Sequence, residues 1–135
     1  MPDFAWNDSY SVGDEEFDSH HKQLIRYIQI LDDPGEQADL DFLRAIVDGL
    51  VAYTNYHFSA EEVVMRETDY PGLDRHLAQH AEFVDKATRF RDDFRDGAVT
   101  VGDEILDYLK LWLVKHILTE DRGFTRYREK TLAAS

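Results

Sequence analysis

The chain has 135 residues, 43% of them hydrophobic and 32% charged, which suffices for one globular domain and not for two. A formal net charge of −13 argues against a nucleic-acid partner, because phosphate binding needs clustered Lys and Arg to release counterions. With no cysteine, disulfides, thiolate metal sites and cysteine nucleophiles are all excluded.

Residues 1–16 show no sustained period and are expected to form an extended arm that packs on the remainder through Phe4 and Trp6. The start, Met1-Pro2-Asp3-Phe4, lacks the basic and apolar regions of a secretory leader. Breakers at Asp32-Asp33-Pro34-Gly35, Thr68-Asp69-Tyr70-Pro71-Gly72 and Arg95-Asp96-Gly97 then divide the chain into helical segments. The first helix is predicted from about Phe17 to Leu31, with Phe17, His21, Leu24, Ile25, Ile28 and Leu31 at helical spacing. A second, from about Asp39 to Glu67, carries Leu43, Ile46, Val47, Leu50, Thr54, His57, Glu61, Val64 and Met65 on one stripe. In the third, from about Leu73 to Arg95, the stripe is Leu73, His76, Leu77, His80, Phe83, Val84, Ala87 and Phe94. The fourth is expected to open with a capping box at Thr100-Val101-Gly102-Asp103 and to turn Ile105, Leu109, Trp112, Leu113 and His116 inward. Beyond Gly123 the chain reads as a continuation of that helix or a short tail.

Short connections favour antiparallel neighbours, so the expected fold is all-α, an up-down-up-down antiparallel four-helix bundle over about residues 17–127 with the arm packed on it. One domain covers residues 1–135. No apolar run approaches the roughly 18 residues of a membrane span, and the expectation is a soluble, cytoplasmic protein without a membrane or nucleic-acid partner.

Five of the six histidines fall on these apolar stripes, on four separate helices. They are His21, His57, His76, His80 and His116, and the acids Glu61 and Asp121 follow His57 and His116 by one turn or slightly more. Burying imidazoles and carboxylates in a bundle core without a shared partner is costly, because unpaired polar groups there forfeit their hydration. A metal pair explains the pattern. Residues four apart share a helix face, so His76 with His80 and His57 with Glu61 can each grip a common centre. Imidazole and carboxylate without thiolate suit iron, and also zinc, manganese or copper. Seven ligands exceed the need of one ion, whereas two ions roughly 3.5–4 Å apart would use them all. From His116, Glu120 and Asp121 correspond to turns of about 40° and 140° at 100° per residue. Regular geometry chooses Glu120, and Asp121 reaches the centre only if the helix widens locally, as in a π-type bulge, or lies at the flank of the site.

These residues resemble the hemerythrin family in its single-domain bacterial form. The match spans nearly the whole chain: Trp6 in the arm, Asp18-Ser19-His20-His21-Lys22-Gln23-Leu24, His57-Phe58 followed by Glu61-Glu62, the paired His76 and His80, and Trp112 ahead of His116 and Asp121. The resemblance implies two non-haem iron ions with an oxo or hydroxo bridge. His76, His80 and His116 would hold one, His21 and His57 the other, which keeps an open position for O₂, and Glu61 and Asp121 would bridge them. On this point the resemblance prefers Asp121 to Glu120. It further implies reversible O₂ binding, with Leu24, Phe58, Met65, Trp112, Leu113 and Leu118 lining the O₂ side. His20 departs from the family, which often has Gln there; it is read as a surface residue or one that stands behind the ligands.

The leading expectation is therefore an oxygen carrier, store or buffer rather than an enzyme. The other readings are an oxygen or redox sensor acting on a protein partner, a di-iron peroxidase or oxidase, and a zinc- or iron-sequestering bundle. No Glu-x-x-His pair, the signature of carboxylate-rich di-iron enzymes, occurs at an inward position.

Overall fold

Two aspartates start the first two long helices. Asp14 Oδ1 accepts from the backbone N–H of Phe17 at 3.0 Å and opens α1, Glu15–Leu31, whose first turn adds Glu15, Glu16 and Asp18 where the helix dipole favours negative charge. Asp39 does the same for Phe42 N–H at 3.0 Å and opens α2, Leu40–Glu67. Helix α3 follows at Leu73–Arg95 and α4 at Asp103–His116. The last helix does not stop there: a π turn, Ile117–Asp121, passes the chain into α5, Arg122–Ala134. The computed structural model describes residues 4–33, 39–97 and 100–134, and among them every regular element is helical. Met1, Pro2 and Asp3 of the arm and Pro34-Gly35 of the first breaker lie outside the described residues.

The expected capping box at the fourth helix is not formed. Gly102 occupies the cap position and no side chain caps the helix, because Thr100 lies two residues too early for its hydroxyl to reach the free N–H groups of the first turn. The turn between α2 and α3 is built differently again. Asp69 takes a left-handed conformation (φ 52°) and Tyr70 N–H donates to Met65 O at 3.0 Å. A Cβ on Gly72 would meet the Tyr70 ring at 2.8 Å, so only glycine lets that ring lie over the turn.

Helix α1 packs against α2 and α4, and α2 against α3. The ring is closed by side chains between α3 and α4, with the Phe83 and Trp112 centroids 4.5 Å apart. The result is a four-helix bundle whose core holds Ile28, Leu31, Leu43, Leu50, Met65, Phe83 and Leu109, each worth about 1.5–3 kcal/mol on removal from water. Ile105 and Trp112, expected inward, are half-buried at the edge of this core. Leu106, Leu109 and Leu113 form the tighter i, i+3, i+7 stripe that α4 turns inward, and Phe90, absent from the expected α3 stripe, is buried as well.

The arm is held at several points, with Gln29 Nε2 donating to Phe4 O at 2.7 Å and Arg122 donating to Ser9 O. Asp18 accepts from Ser11 Oγ at 2.6 Å and from Val12 N–H at 2.9 Å, while Phe4 and Trp6 pack partly buried against the core. Arg128 of α5 reaches Asp14 at 2.5 Å, so the end of the chain holds the start of α1.

Candidate metal centre

The hydrophobic stripes carry seven polar residues into the bundle with them. His21 comes from α1, His57 and Glu61 from α2, His76 and His80 from α3, His116 from the end of α4 and Asp121 from the end of the π turn. All seven are buried, with Glu61 1% and Asp121 3% exposed. Their ligating atoms fall into two groups: Glu61, His76, His80, His116 and Asp121 in one, and His21, His57, Glu61 and Asp121 in the other, with the atoms of each group within 4.8 Å of one another. Glu61 and Asp121 belong to both.

The two carboxylates divide their oxygens between the groups. Glu61 Oε2 lies 3.1 Å from His76 Nε2 and 3.7 Å from His80 Nε2, whereas Glu61 Oε1 faces His57 Nε2 closely and lies 3.6 Å from His21 Nε2. Asp121 repeats the arrangement: Oδ1 is 3.0 Å from His76 Nε2 and 3.2 Å from His116 Nε2, and Oδ2 is 3.0 Å from His21 Nε2. Every imidazole presents Nε2 inward. On the histidine-rich side His116 Nε2 stands 3.1 Å from His80 Nε2 and 3.2 Å from His76 Nε2.

Hydrogen bonds inside the cluster, His76 Nε2 with Glu61 Oε2 among them, leave several of its buried polar atoms without a partner. His21 Nε2, Glu61 Oε1 and both Asp121 oxygens are buried and near a polar neighbour, yet none makes a hydrogen bond with acceptable angles. Buried orphans of this number are intolerable unless something shared satisfies them. Nitrogen and oxygen donors without sulfur, in two overlapping shells, fit a non-haem di-iron site.

Protons take up part of the charge. Burial pushes His21 down, but the Asp121 and Glu61 carboxylates overcome it and hold the imidazole at about 9; His76 is balanced in the same way, also at about 9. Burial and the mutual repulsion of the carboxylates push Glu61 up, yet the facing His57 and His21 outweigh them and hold it below the usual range. Asp121 is likewise held down, against its burial, by His116, His21 and His76. Burial instead drives His80 down to about 3, so its ring is neutral.

The π turn decides between the two acids of the last helix. Closing i to i+5 carries Asp121 to the face that the i+4 residue would otherwise hold, directly beside His116. Glu120 points away and pairs with Arg75 at 2.9 Å.

A family model, the hemerythrin HHE cation binding domain, matches residues 12–127. The chain belongs to the hemerythrin family. A bacteriohemerythrin of Pseudomonas paraeruginosa is 30% identical over 124 residues, covering 92% of this chain and 80% of the relative. A hemerythrin-like protein of Naegleria gruberi is 31% identical over 121 residues, 90% of each chain. The crystal structure of a wild-type hemerythrin superposes with a TM-score of 0.84 at 23% identity, over 90% of this chain and 95% of that one, and shares the fold.

Around this hemerythrin-type cluster stand three further side chains. His80 Nδ1 meets Glu62 Oε2 at 2.9 Å and His116 Nδ1 meets Gln79 Oε1 at 2.9 Å, so each ring can donate outward through Nδ1 while Nε2 faces the cluster. Glu62 follows Glu61 and Gln79 precedes His80, and that adjacency is the only signal they carried. His20 is the third. It is 5% exposed and its Nδ1 lies 2.8 Å from His57 Nδ1, so the surface reading of His20 gives way to a place behind a ligand. Its ring is boxed by Phe17, Tyr53 and Tyr56, and burial, with the neighbouring His57, keeps it below the usual histidine range.

Of the residues expected on the O₂ side, Leu24, Phe58, Met65 and Leu113 are buried, and Trp112 and Leu118 half-buried. Phe58 stacks on His80, centroids 3.7 Å apart, and Trp112 on His116 at 4.5 Å. A cavity of about 190 Å³, lined by Arg75, Gln79, Trp112, Lys115 and His116 among others, reaches the cluster from the α3–α4 side.

Proposed function

We propose that this chain binds O₂ reversibly at two non-haem iron ions, as a carrier, store or buffer. The observation that supports it most is the division of labour within Glu61 and Asp121, each with one oxygen toward the larger histidine group and the other toward the smaller. A carboxylate so placed would hold two ions at once. His76, His80 and His116 would hold one, His21 and His57 the other, and Glu61 and Asp121 would bridge them. The iron pair supplies the electrons for O₂ binding; the polypeptide supplies everything else.

The unequal histidine count leaves the His21–His57 side short of one protein ligand, which is where a small molecule would enter. Leu24, Phe58, Met65, Trp112, Leu113 and Leu118 would line the approach, a dry surface that admits a neutral gas and disfavours the protons and anions that promote irreversible oxidation. The outward hydrogen bonds to Glu62 and Gln79 hold His80 and His116 in the tautomer that coordinates. Five imidazoles to two carboxylates make a site with little negative charge to stabilise high-valent iron, which favours a binder over a di-iron oxidase or peroxidase. No helix among the described residues is long and apolar enough to cross a membrane, in keeping with a cytoplasmic role.

The test is to reduce the iron-loaded protein without oxygen and follow its absorption as O₂ is admitted and removed. A band that appears with O₂ and disappears under vacuum over repeated cycles supports the proposal. One-way conversion to a stable ferric form would favour an enzyme, and absence of any colour a zinc or storage bundle. A sensor shares the reversible band and differs in that O₂ changes its affinity for a protein partner.

A further inference from the structure

The two histidine groups are not equally supported from outside. In the larger, His80 and His116 each hydrogen-bond a polar side chain through Nδ1, while His76 Nδ1 has no partner. In the smaller, His21 Nδ1 has no hydrogen-bond partner, and the one outward contact among the described residues is His57 Nδ1 with His20 Nδ1. Two imidazole nitrogens 2.8 Å apart must share a single proton between them, one donating and the other accepting. When His57 Nε2 is required as a lone pair facing inward, the proton of that neutral ring sits on Nδ1. His20 Nδ1 is then the acceptor, and the His20 proton sits on Nε2, on the side of the exposed carboxylate of Glu16, 4.0 Å away.

We propose that His20 is a positioning residue for the smaller metal site, fixing the tautomer and ring plane of His57 through the Nδ1–Nδ1 hydrogen bond. The inference rests on the di-metal reading above. The rings of Phe17 and Tyr53 stand edge-on at 6.0 Å from His57 and 5.9 Å from His20, so neither imidazole can turn without disturbing packed aromatics. What His20 contributes is an acceptor held at one place. A glutamine there carries a carbonyl oxygen that can accept the same bond, and a leucine carries none. Loss of such an outer hydrogen bond costs about 10–100-fold in metal affinity. The loss should fall on one of two ions, because the His76–His80–His116 group keeps both of its outer partners.

The experiment titrates zinc into the metal-free full chain against a chromophoric chelator, for the wild type, His20→Gln and His20→Leu, with circular dichroism confirming that each is helical. Expected are two ions in the wild type, one of them weakened about 10–100-fold in His20→Leu, and near-wild-type binding in His20→Gln. A wild type that takes two ions while His20→Leu takes both equally tightly overturns the role of His20 and leaves the di-metal reading intact. Equal weakening in His20→Gln and His20→Leu overturns the hydrogen bond as the cause. A wild type that takes fewer than two ions overturns both readings. Should His20→Leu fail to fold, long-range ¹H–¹⁵N spectra of the zinc-loaded wild type decide the matter: a proton on His57 Nδ1 and on His20 Nε2 is expected, and a His20 proton on Nδ1 overturns the proposal.

Discussion

Asp121 Oδ1 lies 3.2 Å from His116 Nε2, although Asp121 is five positions further along one continuous helical run. A regular α-helix would place them about 140° apart. The π turn from Ile117 to Asp121 removes that angle, and the cost of a poorly bonded turn is offset where Asp121 joins the cluster. Asp121→Ala should therefore lower the iron content and abolish the oxygenated spectrum, since it removes both a link between ions and a negative charge from a buried site. Glu120→Ala breaks only a pair with the exposed Arg75 and should change stability by no more than about 1 kcal/mol. Iron analysis and O₂ titration of both variants check this, and damage from Glu120→Ala alone would show that the helix is regular in solution.

Truncating a histidine of either group should remove iron. His57→Ala leaves His21 as the only imidazole of the smaller group, and His80→Ala leaves two in the larger. Both should fall from two irons per chain to one or fewer while remaining helical. Full iron content in either variant would place that histidine outside the site.

The helices themselves were legible from residue spacing, because the 3.6-residue period of Leu43, Val47, Leu50 and Thr54, or of Phe83, Ala87 and Phe94, has no competing interpretation. Asp14 and Asp39 as caps refined the first two starts by a residue or two. Six of the seven inward polar residues, all but Asp121, were legible for the same reason. What spacing left open was Glu120 against Asp121, since a π turn is a tertiary compromise with no local sequence signature, and the resemblance alone favoured Asp121. For His20 the sequence left a surface place and one behind the ligands both open, because it sits next to an inward histidine, 100° around the helix; Phe17 and the approach of Tyr53 and Tyr56 from α2 cover it. Glu62 and Gln79 were unreadable as partners because their roles depend on the facing helix.

Metal binding should release protons. At pH 7 the metal-free protein holds protons on His21 and His76, both at about 9, and coordination at Nε2 expels them. Zinc added to unbuffered protein at pH 7 should release close to two protons per chain on account of these groups, read with an indicator dye. Release of none would mean that both rings are already neutral.

The same shifts set the pH dependence of the metal-free fold. His21 and His76 are raised above their unfolded value of about 6.5, so the stability they contribute is fully present below that pH and is lost as pH rises from about 6.5 to 9. Glu61 and Asp121 are depressed, so theirs is present above about pH 4 and lost as pH falls through their folded values. His80, lowered to about 3, adds a loss between about 6.5 and 3. Melting temperatures of the metal-free chain should fall on going from pH 6.5 to 9.5, while the added protection from zinc grows over that interval. A metal-free melting temperature that rises steadily to pH 9.5 would contradict the paired-charge description of the cluster.

The central claim is that Glu61 and Asp121 join two ions within one bundle, and metal counting tests it most directly. Protein purified without affinity to added metal, reconstituted with ferrous iron under nitrogen and freed of excess, should contain two irons per chain by elemental analysis. A value of one, with all seven residues intact, would contradict it.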